Sequence, residues 1–263
     1  MLDVLYSLPI WLVGVLIVSL SAAIPGLGLL VVHRRVPAEV RRTQNDVASA
    51  LSNVAAFVYA VMLAFLAVGV WDDYGKAGAT VQLEANSASD VFRQAEAYPE
   101  PFRRRVRDGI RTYVDLVMGE EWKLQTRGRM SDPAWRTIEA LHRDMLDFEP
   151  RGPREHIVHT EQLRDMNSLL DQRRLRVQMG ATGLHPVVWT VILTGSVLIV
   201  AYSFFFGTAS FRAHLVMTMI LGASIGLVLF LIVAMDYPFR GGVGIGPDAF
   251  ERIRENIGRV GGP

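Results

Sequence analysis

The sequence predicts an all-α membrane protein, with four transmembrane helices and a helical extramembrane domain between the second and the third. Four apolar stretches each provide about the 20 residues that a helix needs to cross roughly 30 Å of hydrocarbon. They are Leu8–Val32, Val47–Trp71, Pro186–Gly207 and Leu215–Met235. In the polar region between the second and third stretches, apolar residues recur at intervals of three and four, which is the helical period. Alternating runs there are short, so no strand is expected.

The first apolar stretch is predicted to be a retained span rather than a secretory signal. The chain begins Met1-Leu2-Asp3 without a basic segment, and the stretch is longer than the apolar part of a typical signal peptide. Pro25-Gly26 and Gly28 interrupt it near its end. These residues predict a kink or a close contact with another helix.

The second span is predicted to continue as one long helix beyond the membrane. Residues 72–98 contain no proline and only two glycines, so nothing stops the helix after Trp71. Pro99 and Pro101 are expected to end it.

Three further helices are predicted before span three, and each has an apolar stripe at helical spacing. Ser131 is a plausible N-cap ahead of Pro133, and residues 150–153 supply a turn. The three stripes are Phe102, Val106, Ile110, Tyr113 and Val117; Trp135, Ile138, Leu141, Met145 and Phe148; and Leu163, Met166, Leu169 and Leu170.

A short helix near the C-terminal end of the sequence, with Phe250, Ile253 and Ile257 on one face, is expected to dock on the bundle.

The predicted domains follow from these elements. Residues 1–71 hold the first two spans, 72–185 the helical extramembrane domain, 186–236 the last two spans, and 237–263 a tail with the short amphipathic helix.

Composition excludes several classes of function. With a net charge of +1 and arginine mixed with acidic residues, the chain has no concentrated basic face, so nucleic-acid binding is not expected. The absence of cysteine excludes disulfides and thiolate chemistry. Glu120-Glu121, His142, and His156 with His159 do not form a zinc or catalytic pattern. No metal, cofactor or enzymatic activity is therefore predicted.

Arginine distribution predicts the orientation. An even number of spans places both termini and the central region on one side of the membrane. Arg34, Arg35, Arg41 and Arg42 lie in the short loop after span one, and Arg212 lies between spans three and four. The positive-inside rule makes these loops cytoplasmic and the central region extracytoplasmic. A comparable number of arginines before span three and after span four weakens the contrast, but short loops weigh more.

Cysteine labelling tests this orientation, because the native chain has no cysteine. A cysteine introduced at Ser131 is expected to react with an impermeant reagent in intact cells. Reaction only after lysis would reverse the assignment.

Short stretches spread over nearly the whole chain occur in a specific order. They are Asn45-Asp46-Val47, Tyr59-Ala60-Val61, Leu63-Ala64-Phe65, Glu84-Ala85, Phe92-Arg93-Gln94-Ala95, Tyr113, Glu121-Trp122, Arg173-Arg174-Leu175-Arg176, Trp189 and Asp236-Tyr237-Pro238-Phe239-Arg240-Gly241. In this order the chain resembles the bacterial bestrophin-like membrane proteins, a family named for its distant likeness to bestrophin anion channels. The resemblance implies an oligomeric channel with a helical domain between spans two and three. In bestrophins that domain is cytoplasmic, opposite to the orientation that the arginines predict.

A stripe of small and polar residues along span two is the candidate functional surface. On a helix these residues share one face, with Leu66 expected to face lipid. Two interpretations stay open: close packing of helices, which small residues allow in lipid, and the lining of a pore by several subunits. Asp46 is also suited to an N-cap. The pore-lining candidates are Asp46, Ala50, Asn53, Ala56, Ala60, Ala64 and Ala67.

Three charged residues are candidates for a pore mouth or for ion pairs. Glu84 lies on the extension of span two, where copies of it are predicted to form a charged ring at the mouth, or to pair with an arginine such as Arg93 or Arg104. Asp236 ends span four just before Pro238, where it is expected either to pair with an arginine or to coordinate an ion.

The sequence therefore predicts a multi-pass protein of the bacterial inner membrane that forms a homo-oligomer and conducts inorganic ions, with span two around the axis. The alternative is a non-conducting sensor or scaffold whose helical domain binds a partner or ligand. The acidic candidates suit cations, whereas the bestrophin likeness suggests anions, so the sign of the ion stays open.

Overall fold

The computed structural model of the chain describes residues 6–37, 45–127 and 129–260, and no strand occurs within these ranges. The predicted all-α fold is thus confirmed. A 3₁₀ turn, Ala95–Ala97, and a π-helical turn, Val117–Glu121, lie between α-helices. The α-helices in chain order are α1 (Ile10–Arg35), α2 (Asn45–Gln94), α3 (Phe102–Leu116), α4 (Trp122–Gln125), α5 (Asp132–Leu146), α6 (Pro153–Ala181), α7 (Pro186–Phe204), α8 (Phe211–Met235) and α9 (Asp248–Val260).

Within the described ranges, four helices are long and apolar enough to cross a membrane, namely α1, α2, α7 and α8. They correspond to the four predicted spans. Helix α2 has 50 residues, which confirms that span two continues as one helix well past Trp71. It ends before Pro99, as predicted. Arg41 and Arg42 lie outside the described residues.

The chain forms two compact units. The first consists of residues 1–73, 184–236 and 241–243, and the second of residues 74–183, 237–240 and 244–263. Helix α2 contributes its first part to the first unit and its last part to the second.

In the first unit, α1 and α8 approach each other closely. A side chain at Gly222 would place its Cβ 2.0 Å from the Ser21 carbonyl oxygen and 2.8 Å from Pro25. Gly222 and Gly226 form the small-xxx-small pattern that lets membrane helices approach. Helix α1 continues through Pro25. The approach of Gly222 places Pro25 at a close helix contact, which is one of its two predicted roles.

The second unit has one apolar core, built from the end of α2 together with α3, α5, α6 and α9. The predicted stripes of α3, α5 and α6 all face this core, and α9 docks on it through Phe250, Ile253 and Ile257. Ser131 stands at the N-cap position of α5 but makes no capping hydrogen bond, and it is buried. An exposed position on α5, such as Ala140, is therefore a better site for the labelling cysteine.

Candidate functional site

One face of α2 packs inside the first unit. Tyr59, Leu63 and Val70 are buried in an apolar cluster with residues of α7 and α8. The Tyr59 hydroxyl donates to the Ile192 carbonyl at 3.0 Å and lies 2.6 Å from the Ser196 Oγ. This face of α2 is therefore fixed against α7 and α8 of the same chain.

The start of α2 is also anchored. The Asn45 side-chain amide donates to the Gly207 carbonyl at 3.1 Å, and its oxygen accepts from the Gly207 N–H at 2.9 Å. This pair ties the helix to the connection between α7 and α8. Together with the packed face, it fixes which sides of α2 remain uncovered.

The predicted stripe lies on an uncovered side of α2. Six of its seven members are exposed, while Ala67 is half-buried and touches the apolar cluster of the first unit. The exposed members recur every three or four residues, so they form one continuous surface. The side chains on that surface are small, and they include one carboxylate and one amide. The exposed members are Asp46, Ala50, Asn53, Ala56, Ala60 and Ala64.

Leu66 does not face outward, contrary to the expectation from sequence. It is half-buried and packs against the apolar cluster of the first unit. Val58 is a better reference for a side of α2 away from the stripe, because it is 62% exposed. At about 100° per residue, it points roughly 120° around the helix from Ala64.

Glu84 lies in a buried ionic network of the second unit. Arg176 donates its Nε to Glu84 Oε2 at 2.6 Å and its Nη2 to Oε1 at 3.0 Å. The Tyr113 hydroxyl donates to the same carboxylate. All three side chains are fully buried. Each Glu84 oxygen therefore has a donor within the same chain.

The network extends to the π-helical turn and α4. Arg176 Nη2 also donates to Glu121 Oε1 at 2.6 Å, and its Nη1 donates to Gln125. The second oxygen of Glu121 accepts from Arg173 Nη2. Two glutamates and two arginines thus neutralise one another, which is the condition for burying charge.

Burial alone would lower the pKa of Arg176, but the Glu84 carboxylate and its hydrogen bonds raise that pKa above its usual range. The pKa of the Tyr113 hydroxyl is also raised, first by burial and then by the Glu84 charge. Arg176 is therefore a permanent cation and Tyr113 a permanent donor. Trp122 covers the guanidinium of Arg176, with 5.4 Å between the ring centroid and Cζ.

The ion-pair candidates are thus placed differently from the sequence expectation. Glu84 pairs with Arg176, rather than with Arg93 or Arg104, and its carboxylate is not presented to solvent. Arg93 is exposed and pairs with Asp90. Asp236 accepts the Leu184 N–H at 2.6 Å and a hydrogen bond from Trp189, so its donors are an amide and an indole.

Sequence reasoning missed Arg176, Tyr113 and Gln125 as members of one network. The burial of Glu84 was nevertheless visible in the sequence. Glu84 stands on the same helical face as Val81, Ala88 and Val91, which are buried, and an acid on an apolar face needs a buried cation.

A second polar group lies in an aromatic setting. The Tyr98 hydroxyl is 2.6 Å from His159 Nδ1, and Phe102 and Phe148 pack around Tyr98. Burial lowers the pKa of His159, and the nearby His156 adds to the effect. His159 therefore serves the core as a neutral partner of Tyr98. In the described part of the chain, acids and histidines form no cluster of metal-site size.

A family comparison covers most of the chain. The model of the Bestrophin-like domain matches residues 19–250. These residues include all of α2 through α8 and most of α1. No curated protein matches the chain.

Solved structures have the same fold. A single-substitution variant of a bacterial bestrophin homologue from Klebsiella pneumoniae matches with a TM-score of 0.68 and 11% identity, over 91% of this chain and 98% of the other. A second variant of that homologue gives 0.65 and 12%, over 93% and 96%. A structure described as a membrane protein variant gives 0.67 and 12%, over 92% and 97%.

Proposed function

The chain belongs to the Bestrophin-like family, and from this membership and the uncovered stripe of α2 we propose that it is an oligomeric ion channel of the cell membrane. Several copies of α2 surround the conducting path. The single observation that supports this most is that α2 packs one face on its own subunit and leaves the stripe of small and polar residues uncovered.

The stripe favours a water-filled axis over lipid. A carboxylate at Asp46 and an amide at Asn53 are costly against hydrocarbon and are expected to face a partner or water. A closed ring of subunits supplies both, because the same surface of each copy then faces the axis. The alanine side chains along the rest of the stripe leave room for ions near the centre.

The second unit is proposed to stand outside the hydrocarbon as a vestibule for ions. Its apolar side chains form an internal core, whereas charged side chains such as Arg104, Asp115 and Glu139 are exposed. A surface of this kind suits water rather than lipid. In this proposal the buried Glu84 network keeps the vestibule walls rigid and does not select ions.

The sign of the ion remains an open part of the proposal. Asp46 favours cations through Coulomb attraction, whereas the likeness to bestrophin anion channels favours anions. Bi-ionic reversal potentials of the reconstituted protein measure this directly.

Conduction by reconstituted protein tests the proposal. We expect the purified protein to run as a closed oligomer and to pass ions in planar bilayers or liposomes. Ala64→Phe is expected to lower the flux by roughly tenfold or more, because an apolar constriction gates a narrow pore by dewetting. The flux is measured only on variants that assemble like the wild type.

Val58→Phe is the matched control, because it adds a similar apolar side chain to an exposed side of the same helix. We expect it to conduct like the wild type. A monomer at all concentrations, an oligomer without conduction, or equal conduction by the two variants would reject the pore. The non-conducting sensor or scaffold would then be the better hypothesis.

A further inference from the structure

Three exposed cations lie close together where α4 ends. Lys123 and Arg127 are four residues apart, which places them on one side of a helical turn. The N–H groups of Arg127 and Arg129 both donate to the Leu124 carbonyl, at 3.0 and 2.8 Å, so the chain turns back and keeps Arg129 near the other two. We call Lys123, Arg127 and Arg129, all of which are exposed, the cationic patch.

The charge of the cationic patch is not neutralised within the described part of the chain, where no carboxylate forms an ion pair with its three side chains. Glu121, the acid just before α4, is buried and paired with two buried arginines. The next acids are Glu120 and Asp132, so residues 122–131 contain three cations and no acid. A surface of this kind attracts anions.

Helix α4 packs against the two ends of the second unit that lead into membrane spans. A Cβ on Gly180, at the end of α6, would lie 3.2 Å from Gln125 of α4 and 3.4 Å from Phe239. Arg129 and Met130 lie beside the same end of α6, around a cavity of about 20 Å³. The cationic patch is therefore part of the end of the second unit where the chain enters and leaves the spans.

Chain connectivity limits how far this end can stand from the membrane. Ala181 ends α6 five residues before Pro186 begins α7, and Phe239 follows Met235, the end of α8, by four residues. Each connection covers at most about 20 Å. Helix α7 has 19 residues and is about 28 Å long, so it needs its whole length to cross roughly 30 Å of hydrocarbon. Pro186 is then at the edge of the hydrocarbon, and the end of α6 is close to the lipid headgroups.

An apolar side chain accompanies the cations. Met130 follows Arg129 directly and is 63% exposed. Cations next to an exposed apolar side chain are typical of segments that lie on a lipid surface, where the charges meet headgroups and the apolar group meets the acyl chains.

We propose that the cationic patch binds the headgroups of anionic lipids at the membrane surface. The phosphodiester of phosphatidylglycerol carries one negative charge and accepts hydrogen bonds from guanidinium groups. An acidic protein would meet the same charges, but the short connections to α7 and α8 favour lipid. The inference rests on the proposed position of the second unit outside the hydrocarbon and not on conduction, so binding is measured without ion flux.

Quenching of a fluorophore next to the patch tests the proposal, because the native chain has no cysteine and Thr126 is exposed between the cations. The full-length Thr126→Cys protein is labelled and reconstituted in phosphatidylcholine vesicles. Phosphatidylglycerol or phosphatidylcholine with a quenching doxyl group on the acyl chain is then added in increasing amounts. Since each cation near an anionic surface strengthens association by roughly fivefold, we expect half-quenching by phosphatidylglycerol at a roughly tenfold lower mole fraction. In 1 M sodium chloride, where the screening length is about 3 Å, this preference is expected to disappear.

Replacing all three cations of the patch with glutamine in the labelled protein is expected to make the two lipids equally effective. Arg127→Gln alone is expected to lower the preference by up to about fivefold. The turn is held by backbone hydrogen bonds, so both variants are expected to fold. The charge-matched control replaces Arg104, Arg154 and Arg164 with glutamine, because these arginines are exposed and lie at the start of α3 and in the first half of α6. It is expected to keep the full preference for phosphatidylglycerol.

Three results would overturn the proposal. Quenching by neither lipid would place the patch away from the membrane. Equal quenching by the two lipids, or an equal loss of preference in the patch variant and the charge-matched control, would leave only a general effect of net charge. If sodium phosphate or polyglutamate reversed the quenching by phosphatidylglycerol more than sodium chloride did at equal ionic strength, the patch would be assigned to a soluble anion or to an acidic protein instead.

Discussion

Replacing Arg176 with methionine is expected to lower the free energy of unfolding by about 3–5 kcal/mol, the usual cost of breaking a buried ion pair by removing one partner. Arg176 donates to Glu84, Glu121 and Gln125, and all of these acceptors are buried. Methionine fills much of the volume but leaves both carboxylates without their shared cation. Urea or thermal unfolding of the protein in mild detergent measures the loss.

Arg164→Met serves as the control, since this arginine is exposed and its pair with Glu161 spans 3.9 Å. Exposed pairs contribute about 0–1 kcal/mol, so little change is expected. Adding Glu84→Gln to Arg176→Met is expected to restore part of the stability, because it replaces one stranded carboxylate with a neutral amide. If Arg176→Met were no less stable than Arg164→Met, the network would not stabilise the second unit.

The same network changes what a substitution at Glu84 tests. In a charged ring at a pore mouth, Glu84→Lys would alter ion selectivity. In the structure, however, it would place a second cation against Arg176 in a fully buried site. We therefore expect this variant to fail in folding, and an effect on conduction from it would carry no information about selectivity.

Helical periodicity was sufficient to predict most of the helices and the faces that they bury. The stripe from Phe102 to Val117 and the stripe containing Ile138, Leu141 and Met145 both face the core of the second unit. Prolines and glycines marked the helix ends, as at Gly152 before α6. These features are local, so they are visible in a single sequence.

Long-range pairing was not predictable in the same way. Glu84 and Arg176 lie 92 residues apart, and several arginines nearer in sequence were equally plausible partners. The π-helical turn Val117–Glu121 also changes the direction of the side chains that follow, which a constant helical period does not anticipate. Glu121 ends this turn and Gln125 follows it in α4, and both contact Arg176.

The sides of a membrane helix were equally hard to distinguish. In α2 both the packed face and the lipid-accessible face are apolar, so hydrophobicity does not separate Leu66, which packs inside the unit, from Val58, which is exposed. The small-residue stripe was visible because it depends on side-chain size. In the proposed oligomer, what covers that stripe depends on other copies of the chain.

Gly222→Ala is expected to disrupt the contact between α1 and α8 and to lower the stability of the first unit by about 1–3 kcal/mol or more, the usual cost of overpacking. The added Cβ would lie 2.0 Å from the Ser21 carbonyl oxygen, which belongs to the backbone and cannot rotate away. The two helices must therefore separate, and the contacts along their whole interface weaken with them. Thermal unfolding of the protein in detergent measures the effect.

Gly69→Ala provides the matched control within the membrane part of α2, because a Cβ there meets no heavy atom within 4 Å. Alanine also favours a helix over glycine by up to about 1 kcal/mol, so this variant is expected to be as stable as the wild type or slightly more stable. The same substitution should thus have opposite effects at the two glycines. If Gly222→Ala unfolded at the same temperature as Gly69→Ala, the close packing of α1 on α8 would not be required for stability, and the small-xxx-small pattern of α8 would need another explanation.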